Sequence, residues 1–309
     1  MRIVFMGTPE FAVPSLEILL KNNYPVVSVV TAPDSPKGRG LKIEESPVKR
    51  SALEHSLPIL QPRNLNDPSF VSAIRSLHPD LIVVVAFRIL PPEVYSLASR
   101  GAFNLHASLL PKYRGAAPIH WAIIRGETET GVTTFFLQPT VDTGSVILQA
   151  RVKIGPDETA GELHDKLAEV GAEIVLQTVR LIEQNKAQAR AQEGEVSLAP
   201  KIQKADCRVD WRKPAGAVHN FVRGLSPVPG AWTTLRGAFI RVFRTLPTGQ
   251  GFGDRAEPGV IVRADGSELI VATGEGSISL LEVQQESRRR MSAAEFLRGG
   301  RLREGEKFE

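Results

Sequence analysis

The sequence predicts a two-part α/β protein: a twisted, mostly parallel sheet with helices on both faces, then a smaller all-β unit readable as a barrel or a sandwich. Three observations predict it. Short β-branched runs alternate with helical periodicity through the first half of the 309 residues, the signature of strand–helix–strand repetition. One run, Leu81–Ala86 (LIVVVA), is apolar at every position, as a central parallel strand covered on both faces requires. After Asp206 the pattern changes to short strand-like runs punctuated by turn residues, and about one hundred residues of this kind suit a separate domain.

The elements follow in order. Arg2–Met6 and Val26–Thr31 are β-branched runs ending at turn residues, hence strands. Between them Ala12, Leu16, Leu19 and Leu20 recur at helical spacing, with Pro9 and Pro14 confined to the first turn, where a missing N–H costs little. Ala102–His106 and Val132–Leu137 read as further strands. Thr159 and Glu162 form a T-x-x-E capping box, in which side chains satisfy the first free N–H groups of a helix. Leu163, Leu167, Val170, Ile174 and Leu181 continue it as one apolar stripe to about Asn185. The polar stretch from Lys186 to Glu195 reads as the start of a linker that runs to about Lys204. Phe239–Phe243, Gly259–Val262, Glu268–Ala272 and Ser277–Val283 are the strand-like runs of the second unit.

Composition excludes several classes. A single cysteine, Cys207, rules out an intrachain disulfide and fits a reducing compartment. The N-terminus MRIVFMGTPEF has no charged-then-apolar leader pattern, and no apolar run approaches a bilayer span; a cytoplasmic protein with no membrane association is expected. No Cys/His cluster has metal-ligand spacing, so no metal is expected. There is no P-loop and no G-x-S-x-G. Met6-Gly7-Thr8-Pro9 lacks the full G-x-G-x-x-G pattern and reads as a tight turn. Net charge is +4, with 16 basic against 13 acidic residues in 206–309 and 22 against 21 before them. The surplus permits a polyanionic partner without demanding one.

The chemistry concentrates at Asn104-Leu105-His106. Residues two apart on a strand share a face, so the amide and the imidazole point the same way near the C-terminal end of a parallel strand, where open α/β sheets place ligands. Such a pair suits acyl chemistry: the amide can hold a developing oxyanion and the imidazole can move a proton. Taken alone, Asn-x-His on a strand is more often structural. Two further segments strengthen it. Ser108–Pro118 is a Gly/Pro-punctuated loop placed to form a binding wall. Val141-Asp142-Thr143-Gly144 puts a carboxylate just after another strand, able to orient an imidazole, although Asp before Gly is also a common turn. His120 follows the loop at helical spacing and reads as core packing more readily than as a site residue.

Asn104-Leu105-His106-Ala107-Ser108-Leu109-Leu110-Pro111 together with Val141-Asp142-Thr143-Gly144 resembles the folate-dependent formyltransferase superfamily. Gly7-Thr8-Pro9-Glu10-Phe11, the loop Ala32–Gly40 running on to Ser46–Lys49, Arg114–Ile119, and Ala199-Pro200-Lys201-Ile202 through Val209-Asp210-Trp211 resemble its tRNA-formylating branch. The resemblance spans nearly the whole chain. It implies a Rossmann-like catalytic domain over residues 1–188, a linker over 189–205 and an OB-like β-barrel that holds tRNA over 206–309. It implies 10-formyltetrahydrofolate as formyl donor and the amine of initiator methionyl-tRNA as acceptor, hence a role in translation initiation, and a monomer is expected. Asn104, His106 and Asp142 match the catalytic trio of that family, and Ser108, Leu109, Leu110 and Pro111 its tetrahydrofolate-binding stretch. Arg88, Ile89 and Leu90 depart from the Tyr-Gly pair common in tRNA formyltransferases. They look like the folate-pocket wall of glycinamide ribonucleotide transformylases. Lys37, Arg39 and Lys42 lie on the loop that resembles the segment entering the acceptor stem. Lys201, Lys204, Arg288, Arg289 and Arg290 are candidate phosphate contacts. Rival readings are a formyltransferase for a small amine, a formyl-folate hydrolase, and a non-catalytic RNA-binding protein.

Overall fold

In the computed structural model of the chain, residues 1–37, 42–248, 256–300 and 302–309 are described. They fall into two compact units, one of Met1–Gly115, Thr130–Val152 and His164–Leu198, the other of Ala116–Glu129, Lys153–Leu163 and Ala199–Glu309. The first unit holds β1 (Ile3–Gly7), α1 (Val13–Lys21), β2 (Val26–Val30), β3 (Ser35–Lys37), β4 (Lys42–Glu44), α2 (Pro47–Glu54), β5 (Ile59–Leu60), α3 (Pro68–Ser76), β6 (Leu81–Val85), α4 (Pro92–Tyr95), β7 (Ala102–His106), and most of β8 (Glu129–Phe136) and β9 (Val146–Lys153).

Seven of these strands form one sheet in the order β5-β2-β1-β6-β7-β8-β9. Strands β5, β2, β1, β6 and β7 run parallel, and β8 returns antiparallel beside β7. β1 and β6 are buried at all five positions, which is why their sequences show no alternation. On one face Val4, Met6, Val30, Ile82 and Val84 pack with Phe70, Ile74 and Val94. Each such side chain contributes roughly 1.5–3 kcal/mol on leaving water. The register sets the functional edge: Gly7 pairs with Val85 and Val85 with Leu105, so His106 is the residue just beyond that row, at the carboxyl rim of the parallel strands.

The second unit contains α5 (Pro118–Ile124), the start of α6 (Ala160–Glu183), α7 (Ala215–Leu225), β10 (Ala231–Leu235), β11 (Ala238–Thr248), β12 (Ile261–Asp265), β13 (Glu268–Ala272), β14 (Ser277–Gln285), β15 (Met291–Ser292) and α8 (Ala293–Gly300). Its antiparallel sheet runs β10-β11-β14-β13-β12, with β15 on β14. The short strand runs foreseen in the sequence extend further than expected: β11 continues to Thr248, and its register slips near Val242–Thr245. Such bulges bend a strand and help a sheet curl.

Residues 306–309 close that sheet. Ile261 N–H donates to the Glu306 carbonyl at 2.7 Å and Phe308 N–H to Gly259 at 2.8 Å, while Thr234 and Glu309 exchange N–H···O bonds at 3.0 and 2.9 Å. Both edge strands, β10 and β12, are thereby paired, and a closed sheet leaves no exposed edge. Phe308 anchors the segment from inside, 1% exposed and 5.7 Å from the Trp211 ring. The core around it contains Val218, Val222, Leu235, Ile240, Ile261 and Phe296.

The capping box of α6 forms as the sequence indicates. Thr159 N–H donates to Glu162 Oε2 at 2.8 Å, and Glu162 N–H donates to the Thr159 hydroxyl at 3.3 Å. Thr159's backbone N–H and then its hydroxyl, joined by Arg244 at 2.5 Å, hold the Glu162 carboxyl down at about 2 against an ordinary 4.5. A depressed carboxylate contributes stability above the unfolded value and loses it as pH falls through the folded one. Glu162→Gln should therefore be less stable than the parent at neutral pH, with the deficit shrinking between about pH 4.5 and about pH 2; equilibrium urea unfolding across that range measures it. Phe308→Ala should weaken the second unit by roughly 3–5 kcal/mol, read from the denaturant dependence of tryptophan fluorescence.

Candidate active site

β7 carries the two residues that the sequence singled out. Among its five positions only Asn104 is partly exposed. It pairs laterally with Val84 on one side and Phe135 on the other. Its amide makes no hydrogen bond among the described residues, so donor and acceptor are both available. His106 lies two residues further on the same face, is 6% exposed and sits opposite Thr133 of β8.

The chain after β7 folds back onto the imidazole. Tyr113 has φ 60 and Gly115 φ 122. The left-handed region is costly for a bulky residue such as Tyr113 and open to Gly115. The reversal turns the Tyr113 carbonyl onto His106 Nε2 at 2.8 Å. A carbonyl only accepts, so Nε2 carries the proton and donates. That leaves Nδ1, and Asp142 Oδ2 stands 3.8 Å from it, too far for a direct hydrogen bond but within ion-pair distance of a proton placed on that nitrogen. The same Oδ2 accepts the Gly115 N–H at 2.8 Å. The loop that covers the histidine therefore also positions its carboxylate. Asp142 itself has φ 54, a conformation aspartate tolerates better than most residues. Gly144 is required by packing: a Cβ there would meet the Phe136 carbonyl oxygen at 1.7 Å. The V-D-T-G spacing thus places a carboxylate at the sheet rim because the chain must turn tightly against β8.

Ser108–Pro111 forms the base of the loop and is mostly turned inward. Ser108, Leu110 and Pro111 are buried and Leu109 is half-buried. The Ser108 hydroxyl donates to the Lys112 carbonyl at 2.6 Å. Thr133 Oγ1 donates to the Ser108 carbonyl at 2.6 Å and accepts the Leu110 N–H at 3.1 Å. Gln149 adds bonds to the Leu110 carbonyl at 2.9 Å and to Thr133 at 3.0 Å. Sequence reading did not find Thr133 or Gln149. Each is a single polar residue on a strand, with no spacing signal to mark it.

Arg88, Ile89 and Leu90 separate. Arg88 donates to the Pro62 carbonyl at 2.7 Å and the Arg63 carbonyl at 3.0 Å, so its guanidinium fastens a neighbouring loop, and burial lowers its pKa. Leu90 is buried in the sheet's hydrophobic core. Ile89 is 73% exposed, and Val141, beside Asp142, is 46% exposed; these two large apolar side chains remain open to a ligand.

The predicted cations are distributed along the chain. Lys37 and Lys42 are opposed in the β3–β4 pair; Arg39 lies outside the described residues. Lys201 and Lys204 are exposed, and the Lys204 ammonium sits 5.5 Å from the Phe239 ring centre. Arg288 is exposed and makes no side-chain hydrogen bond or ion pair among the described residues. Arg289 pairs with Glu295 at 2.5 Å. Arg290 pairs with Glu282 at 2.5 Å and lies 4.2 Å over Phe243. His120 is engaged within the second unit, where Nδ1 bonds the Gly224 carbonyl at 2.8 Å.

Residues 190–198, expected to begin a linker, instead lie along the first unit. Arg190 and Val146 exchange backbone bonds at 2.7 and 2.8 Å, and Arg114 N–H donates to the Ser197 carbonyl at 2.9 Å. The Ser197 hydroxyl accepts the Tyr113 N–H at 2.9 Å. Low hydrophobicity hid this strap, because its attachment is through backbone and polar side chains. Among the described residues no group of three or more His, Cys, Asp or Glu could hold a metal ion, and no helix is long and apolar enough to cross a membrane.

Comparison with known proteins places this geometry in a family. Residues 1–179 match the formyl transferase family model and residues 201–301 the formyl transferase C-terminal domain model. Methionyl-tRNA formyltransferase of Bacteroides thetaiotaomicron is 48% identical, covering 100% of this chain and 98% of its own. That of Chlorobium phaeovibrioides is also 48% identical with the same coverage. Among solved structures, WlaRD, a sugar 3N-formyl transferase crystallised with dTDP and 5-N-formyl-THF, superposes with TM-score 0.64 at 19% identity, covering 94% of this chain and 99% of that one. HypX from Aquifex aeolicus in complex with tetrahydrofolic acid gives TM-score 0.66 at 20% identity, covering 96% of this chain and 47% of that one. At those identities the structures speak for the fold. The two domain matches and the full-length relatives show that the chain belongs to the formyl transferase family, among the methionyl-tRNA formyltransferases.

Proposed function

We propose that this chain moves the formyl group of 10-formyltetrahydrofolate to the free amine of initiator methionyl-tRNA at the rim of β7, with Asn104, His106 and Asp142 as its catalytic residues. The observation that carries the reading is the split of duties on His106: Nε2 is committed to the Tyr113 carbonyl, and Nδ1 is left beside Asp142.

The chemistry follows from that split. The neutral amine nitrogen attacks the formyl carbon, a C–N bond forms, and the carbonyl electrons move onto oxygen. Asn104, with its amide unengaged, donates to that oxyanion. The amine proton must reach the folate nitrogen before the old C–N bond breaks, and Nδ1 is the imidazole atom free to relay it. Asp142, 3.8 Å away, gives a proton on Nδ1 a charged partner and leaves space for the relay. Exposed Ile89 and Val141 supply apolar surface for the flat folate ring, with Ser108–Pro111 as a stiff wall braced by Thr133. Arg88 acts in this reading by fastening the Pro62–Arg63 loop beside β6. One chain supplies all three catalytic groups, so the site needs no residue from a second copy. The substrate, an aminoacyl-tRNA, supports the cytoplasm as its place of work.

Lys37, Arg39 and Lys42 serve the acceptor end in this reading, and Lys201, Lys204 and Arg288–Arg290 the tRNA backbone. Neither set is needed for a small amine. Residues 1–188 then act as the catalytic domain and 206–309 as the tRNA-holding domain.

Four outcomes test the proposal. Asn104→Ala and His106→Ala should each lower kcat by roughly 10²–10³-fold, the size of a lost oxyanion donor or proton relay, with far smaller changes in affinity for 10-formyltetrahydrofolate. Release of tetrahydrofolate should require methionyl-tRNA; release with water alone would make the chain a hydrolase, and equal losses in binding and rate would remove the assigned roles. Arg39→Ala should raise KM for tRNA and leave folate affinity unchanged. The tRNA affinity should fall steeply with salt, by about 0.7–0.9 log units per log unit of salt for each phosphate contacted; a flat response argues against a polynucleotide acceptor.

A further inference from the structure

Residues 188–196 are exposed with one exception, Gln192, which is half-buried. Its amide uses its full bonding capacity. Oε1 accepts from Arg114 Nη2 at 2.7 Å and Nε at 3.2 Å, while Nε2 donates to the Asp142 carbonyl at 2.8 Å and the Gly144 carbonyl at 2.9 Å. The partners fix which end of the amide is which, since a guanidinium only donates and a carbonyl only accepts. One side chain thus ties together two loops that are distant in sequence. The first contains Tyr113 and Gly115, whose backbone groups bond His106 and Asp142. The second contains Asp142.

We propose that Gln192 is a positioning residue for the reaction: it sets the separation between the Asp142 carboxylate and His106 Nδ1. The left-handed backbone at Asp142 (φ 54) gives the segment little preference of its own for the geometry in which Oδ2 meets both Gly115 N–H and the imidazole. Gln192 supplies that preference from outside the loop by holding the carbonyls of residues 142 and 144, on either side of Thr143. Arg114, next to Gly115, keeps the amide from rotating. Gln192 does not touch the reacting atoms, so its contribution passes through Asp142. The inference rests on the reading of Asp142 as catalytic.

A double-mutant cycle with Asp142→Ala tests it, using 10-formyltetrahydrofolate and methionyl-tRNA. Gln192→Met keeps the length of the side chain and removes its hydrogen bonds. It should lower kcat by roughly 10- to 100-fold, as expected of a small misplacement of a catalytic group, with KM for both substrates within about twofold of the parent by the same reasoning. Gln192→Glu retains the pairing with Arg114 but donates nothing to the two carbonyls, and should be as slow. In the Asp142→Ala background, Gln192→Met should have almost no further effect, because the group it positions is gone. A parent-like kcat for Gln192→Met overturns the proposal. So does an equal drop in both backgrounds, which marks a purely structural role. If Gln192→Met proves poorly folded, Gln192→Glu carries the same cycle. Asp142→Ala with unchanged kcat would instead remove the catalytic reading of Asp142, and the present proposal with it. Slow Asp142→Ala beside a fast Gln192→Met removes the present proposal alone.

Discussion

The hydrogen bond from His106 Nε2 to the Tyr113 carbonyl governs the rest of the rim. It commits one ring nitrogen, leaves the other facing Asp142, and requires the chain after β7 to double back within seven residues. The left-handed conformation at Tyr113 is the cost of that return, of order 1–3 kcal/mol for a non-glycine residue. The return is held on both sides: by Ser197 on the Tyr113 N–H and by Asp142 on the Gly115 N–H. Remove the carbonyl from Nε2 and neither the tautomer nor the ring orientation would be defined. A relay atom must be defined in both respects to work repeatedly.

Around that bond, polar side chains substitute for the regular pairing that loops lack. Thr133 satisfies the Ser108 carbonyl and the Leu110 N–H at once. Gln149 reaches the Leu110 carbonyl, and Gln192 the carbonyls of Asp142 and Gly144. Buried backbone groups without partners cost about 1–3 kcal/mol each, so each of these residues stabilises its loop and selects one conformation of it. The sheet contributes what loops cannot: β1, β6 and β7 are in register, buried except at Asn104, and the position of residue 106 relative to residues 7 and 85 is fixed by backbone bonds alone.

The parts legible in the sequence are those with a period or a local motif. Uniform apolarity marked β6; spacing of two put Asn104 and His106 on one face; T-x-x-E marked the start of α6. Strand ends were off by one or two residues, as at β1 and β2, because the last residue of a strand is decided by its neighbour's register and not by its own side chain. Parts that depend on distant pairing were not legible. Phe308 closes a barrel by meeting strands some forty to seventy residues away. Arg290 faces Glu282 across a turn, so its charge is locally compensated. The strap at 190–198 looked like a linker because polar composition does not say whether polar groups meet water or other backbone. Gln192 carries no signal of its own; only the two loops it joins give it meaning.

Charge illustrates the same distinction between composition and arrangement. The surplus of the C-terminal third is small in sum, yet a polyanion responds to cations that can exchange a local partner for a phosphate. Arg289 and Arg290 are already matched with Glu295 and Glu282, and each must give up a carboxylate before gaining a phosphate, so the net gain per residue is reduced. Arg290 also gains from lying over Phe243, worth about 0.5–2 kcal/mol for a cation on an aromatic face. Lys201, Lys204 and Arg288 are exposed and carry no such ion pair among the described residues. Counterion release scales with the phosphates actually neutralised. The salt slope therefore follows these three uncompensated side chains more closely than it follows the formal charge of the domain, and the Arg-Arg-Arg run counts for less than its composition implies.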